Sequence, residues 1–263
     1  MKVLLLMCVA ASAWAQGFSG VQDWNSVRIR LEHTPCLGTC SVFTVEITGD
    51  GTVQYDGQSR VAVLGRHSGR VSRDDVESLF NRFRGVESLV LRDEAGSAIE
   101  NVPGRKLTWT ADGVERSVLY ADGDQVKQFA DLVRAVEERA RVDQWVFGTK
   151  DTVEALRREG LDLRSEDAGR VVARVAYWGS VDAVRDLIAA GAPLDVRDTE
   201  FCPVALECAF SVTQTDSTEI LRLLIAAGAS RRDQATKDRA LALAKGAKAT
   251  EAIRMLREYG ARD

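Results

Sequence analysis

The six residues Leu187-Ile188-Ala189-Ala190-Gly191-Ala192 return letter for letter as Leu224-Ile225-Ala226-Ala227-Gly228-Ala229, and this internal repeat limits the fold more than any other feature of the chain. It reads as one supersecondary unit used more than once. Glycines stand at matching places, Gly160, Gly191, Gly228 and Gly260, in steps of 31, 37 and 32 residues. The long middle step is accounted for by Ser211 to Ser217, which lengthens one connection by about four residues. The residue after a helix commonly needs the left-handed conformation, which glycine takes without a Cβ clash, so each glycine is predicted to end the second helix of a helical pair. The first helix is kept thin by Ala176, Ala209 and Ala244, and the second carries Val184, Leu187 and Ile188 into the stack. A helical pair exposes an apolar face until its neighbour covers it, so such an array needs atypical ends. The pattern predicts two clear units, 165–198 and 199–234, with a truncated last unit and a degenerate first one drawn from Trp145 to Leu163.

The repeat length and the finger Ala192-Pro193-Leu194-Asp195-Val196-Arg197-Asp198 resemble ankyrin repeats. The Thr-Pro-Leu-His start of that family is replaced by Val171-Val172-Ala173 and by Ala205-Leu206, so helix ends are marked more sharply than starts. The resemblance implies a surface of fingers and first-helix faces that docks an unknown protein partner. Tyr177, Trp178, Arg197 and Phe201 are the candidate contacts, being residue types that supply much of the energy at interfaces. Trp178 has a second reading, as cover for the neighbouring repeat.

Residues 22–142 follow a different period. Val27, Ile29 and Leu31 alternate with Arg28, Arg30 and Glu32, and Phe43, Val45 and Ile47 alternate with Thr44 and Glu46, which predicts strands with one wet face. Asp50-Gly51 and Asp112-Gly113 suit tight hairpin turns. Arg60 to Leu64 reads as a further strand. Ser72 and Asp75 form a capping-box pattern ahead of an amphipathic helix from about Arg73 to Phe83. After strands over Lys106 to Thr110 and Arg116 to Tyr120, a second helix spans Gln125 to Arg141, with Asp122-Gly123-Asp124 as its cap. Four strands, a helix, two strands and a helix predict an α+β domain, an antiparallel sheet with helices over one face, ahead of the all-α region 143–263.

Cys36-Leu37-Gly38-Thr39-Cys40-Ser41-Val42-Phe43, followed by Asp50-Gly51, Tyr55-Asp56-Gly57 and Gly65, resembles an exported bacterial family, domain of unknown function family 6438. Ser41 and Phe43 stand where that family usually has Pro and Tyr. The resemblance covers about 120 residues and implies no activity. A leader at residues 1–15, with Lys2, an apolar run from Val3 to Ala11 and Ala13-Trp14-Ala15 before Gln16, predicts export to the periplasm or beyond with cleavage after Ala15. The run falls short of the ~20 residues a bilayer needs, and Met7 before Cys8 does not suit lipidation.

Four cysteines remain after that cleavage, and an oxidising compartment favours disulfides over metal thiolates. Three pairings are open, of which Cys36 with Cys40 is preferred because a loop containing Gly38 can bring two Cα atoms within bridging distance. A redox site would want C-x-x-C rather than C-x3-C, and zinc has only His33 and His67 as nitrogen ligands; His33 lies close in sequence to Cys36, but a histidine flanking a strand end reads as a plain surface group. Cys202 and Cys208 read as small semi-buried residues or as a pair with each other.

Composition argues against two function classes. A net charge of -4, becoming -5 once Lys2 is removed, gives no electrostatic grip on nucleic acid. No metalloprotease, nucleophile-elbow, P-loop or dinucleotide motif is present, and the acid pairs Asp74/Asp75 and Glu137/Glu138 diverge around their helices as solvated residues. The expectation is therefore an exported non-enzymatic binding module without cofactor, metal or membrane insertion. The alternative places the function in the N-terminal domain, as a site for a small ligand or an envelope component.

Overall fold

The computed structural model describes residues 20–36, 38–90, 104–121, 127–200, 203–210 and 217–263. Strands β1 (Arg28–His33), β2 (Val42–Thr48), β3 (Thr52–Ser59) and β4 (Gly65–Arg70) precede helix α1 (Arg73–Val90); β5 (Gly104–Ala111), β6 (Val114–Ala121) and α2 (Lys127–Ala140) follow. The six strands form one antiparallel sheet in the order β4-β3-β2-β1-β5-β6. The architecture is thus the α+β arrangement expected, with helices after it.

Register decides which side chains meet. Ile29 lies opposite Ile47 and Trp109, and Leu31 opposite Val45 and Leu107, so the odd-numbered residues of β1 and β2 build one apolar face. Helix α1 covers it with Val76, Leu79, Phe80 and Phe83, all buried, and Phe83 packs on Trp109 with ring centroids 4.9 Å apart. The capping box forms, Ser72 Oγ accepting from the Asp75 N–H at 3.1 Å and donating to its carboxylate at 2.7 Å. The helix runs past Phe83 because Val86 continues its buried stripe. Helix α2 adds Phe129, Leu132, Val133 and Val136. The cap expected at Asp122 to Asp124 lies outside the described residues.

One expected strand is not a strand. Residues 60–64 form a bend, and β4 begins only at Gly65. Val61, Ala62 and Val63 are buried all the same, because the Ala62 and Val63 amides donate to the carbonyls of Val146 and Trp145, each at 2.8 Å. The apolar run is explained by docking on a helix rather than by sheet pairing.

That helix is α3 (Asp143–Val146), and with α4 (Thr152–Arg158) it starts a series of pairs: α5 (Glu166–Trp178) with α6 (Val181–Ala189), α7 (Ala205–Cys208) with α8 (Ser217–Ala226), and α9 (Gln234–Gly246) with α10 (Thr250–Glu258). Helix α7 packs between α5 and α9, while α6 packs between α4 and α8, and α8 in turn meets α10. Ala176, Ala209 and Ala244 are fully buried in or beside the first helices, and so are Leu187, Leu224 and Leu256 in the second. Gly160, Gly191, Gly228 and Gly260 all have left-handed φ, between 83° and 98°, as a glycine after each second helix requires. The last pair has two complete helices where the sequence suggests a truncated unit. Polar side chains tie neighbouring pairs together. Arg174 and Asp198 form a buried ion pair at 2.5 Å, and Asp195 accepts from the Ser230 N–H at 2.6 Å.

Sheet and stack share one continuous apolar core. Trp145, fully buried on α3, stacks on Tyr55 of β3 with centroids 5.0 Å apart. Gly69 on β4 leaves room for the indole, since a Cβ there would sit 3.3 Å from it. At the same edge, Glu159 accepts from His67 Nδ1 and, at 2.7 Å, from the Ser68 N–H. Among the described residues no helix is long and apolar enough to cross a membrane.

Candidate functional site

The site is built where β1, β2 and β5 end against the last turn of α2. Position 33 has the same parity as Ile29 and Leu31, so His33 points to the covered face of the sheet, not to solvent as its strand-end place suggests. Its ring stacks on Phe43 with centroids 4.1 Å apart and planes 23° from parallel. Its Nε2 lies 2.8 Å from the Glu137 carboxylate, yet this nitrogen is buried and makes no aligned hydrogen bond. The two observations agree if the carboxylate sits off the line of the ring N–H, so the contact is electrostatic proximity rather than a directed bond.

Helix α2 closes in a Schellman arrangement: the Arg141 N–H donates to Glu138 and the Val142 N–H to Glu137. Arg141 adopts left-handed φ, 53°, in the place usually taken by glycine, and its guanidinium pairs with Asp151. The turn sends the chain into α3, so that Glu137 and Glu138 stand beside Asp143, Val146 and Phe147. Together with Phe43 and the Cys40 end of the disulfide they enclose a cavity of about 650 Å³. That is the size of typical small-molecule sites. Glu137 and Glu138, expected to be merely solvated, both line it, because the chain reversal brings another element against the end of their helix.

The other sequence-predicted residues are dispersed. Cys36 and Cys40 form a disulfide with Cα atoms 5.9 Å apart. Cys208 is buried and disulfide-bonded, and its partner lies outside the described residues. Tyr177 is buried, which leaves its ring little surface to offer a partner. Trp178 is half-buried against the core, edge-on to Phe147 with centroids 5.0 Å apart. Arg197 is exposed on its finger, and Phe201 lies outside the described residues. Phe147, 46% exposed and shared between the cavity and Trp178, had no signal in the sequence beyond its aromatic type. Tyr55, on the sheet beneath Trp145, has its phenol pushed well above the ordinary range by burial. Among the described residues no group of three or more His, Cys, Asp or Glu is placed to hold a metal ion.

No curated protein matches the chain. The sheet with its two covering helices, residues 27–140, matches the family model described as Domain of unknown function (DUF6438), and His33, Phe43 and the disulfide loop beside the cavity all lie inside that match.

Proposed function

We propose that the chain is an exported, non-enzymatic binding protein whose helical half is an ankyrin-like repeat stack that captures a protein partner. The observation that carries this reading is the packing order: first helices lie on first helices and second helices on second, with fully buried alanines keeping the first row thin. An array in which each unit contacts only its neighbours presents one long surface of fingers and first helices. On that surface Arg197 is exposed and Trp178 partly so, while Tyr177 serves the core. The leader at residues 1–15 supports export.

Crosslinking capture from the native periplasm, comparing the wild-type chain with Arg197→Ala, tests the reading. Capture should weaken by more than ~1 kcal/mol if Arg197 is an anchor, with the melting temperature unchanged. Undiminished capture by Arg197→Ala and Trp178→Ala alike would move the binding function to the N-terminal domain.

A further inference from the structure

The cavity between the sheet and α3 plays no part in the repeat reading, and its chemistry is specific enough to name a ligand class. We infer that it is a binding site for a small organic cation, an amine carried on an apolar body of about one aromatic ring.

Three features favour that charge. Glu137 and Glu138 come from the last turn of α2, and Asp143 from the first turn of α3, so three carboxylates line the cavity. A helix C-terminus carries about half a negative elementary charge, and the C-terminal end of α2 is the end that borders the cavity. Phe147, exposed at the rim, adds an aromatic ring, whose face attracts cations, while Phe43 is covered by His33 and serves only as apolar wall. Arg105 and Arg141 also line the space, but Arg141 is held by Asp151 and Arg105 is likewise engaged. Glu138 makes no ion pair among the described residues, and the poorly aligned Glu137–His33 contact leaves the Glu137 carboxylate able to accept a better-directed N–H. A primary ammonium supplies three such donors.

The apolar body follows from the remaining walls. Val142 and Val146 are buried, Phe43 is almost fully so, and Phe147 is the exposed lip over which a ligand would enter. Of the three carboxylates only Glu137 is half-buried, while Glu138 and Asp143 are exposed, so an ammonium paired with Glu137 is the least screened by water.

Calorimetric titration of the full chain with three molecules of one shape tests the inference: 2-phenylethylammonium, neutral 2-phenylethanol and anionic phenylacetate. The cation should bind at least about tenfold more tightly than the alcohol, as a charge-assisted hydrogen bond allows, and the anion should be weakest. The double variant Glu137→Gln/Glu138→Gln should abolish the preference for the cation over the alcohol. Phe147→Ala, at an exposed position, should weaken both ligands and the cation more than the alcohol, because the ring offers apolar contact to both and attraction to charge only to the cation, and it serves if the double variant does not fold. The inference is overturned if alcohol or anion binds as well as the cation, if the double variant keeps the preference, if Phe147→Ala leaves cation binding unchanged, or if none of the three binds at millimolar concentration.

Discussion

Asp50 shows how much one turn residue does. Its carboxylate accepts from the Thr48 hydroxyl, from the Thr52 N–H at 3.0 Å and from the Thr52 hydroxyl at 2.9 Å, and these bonds hold its pKa down to about 2. A folded pKa below the unfolded one means stability that is fully present above about 4 and is lost as pH falls through about 2. Carbon-detected NMR should find the Asp50 titration midpoint near 2, and Thr52→Val should move it up toward the ordinary 3.8. A midpoint already at the ordinary value in the wild type would mean that the turn network does not form. The Asp50-Gly51 dipeptide announces this turn in the sequence. His33 is the contrasting case: its neighbours suggest a surface group, and only its parity with Ile29 and Leu31 hints at the covered face.

At the scale of elements, α3 does more than its four residues suggest. Trp145 fills the space over Gly69 and Tyr55, and the carbonyls of Trp145 and Val146 anchor the bend at Val61 to Val63. Trp145→Ala should therefore cost about 3 to 5 kcal/mol and also speed hydrogen exchange at the Ala62 and Val63 amides. Leu187→Ala, between second helices, should cost about 2 to 5 kcal/mol while leaving the relative protection of those two amides intact. Equal effects of the two variants on the bend would show that α3 is not its anchor. The capping box, the hairpins and the glycine-terminated helices were legible because each rests on local φ/ψ or on a side chain reaching three residues along. The bend at 60–64 was not. A short apolar run has the same letters whether a sheet or a helix end buries it.

For the whole molecule, the continuous core that crosses from the sheet through Trp145 into α5 and α6 predicts cooperative unfolding. Calorimetry of the wild type should give one endotherm, with probes in β2 and in α8 melting together, and Trp145→Ala should separate them into two. Two separated transitions in the wild type would show that the shared core does not couple the halves. The period of two in residues 27–47, the DG turns, the capping box and the repeated LIAAGA hexapeptide determine by themselves that a sheet domain precedes stacked helical pairs, because strand alternation, turn conformation and helix termination are set by residues a few places apart. The cavity was decided by tertiary structure alone. Its walls come from β1, β2, β5, α2 and α3, and the charges of Glu137 and Glu138 acquire a site only when Arg141 turns the chain so that Val146 and Phe147 face them. Contacts between residues a hundred positions apart depend on strand order and helix docking, which no local pattern encodes.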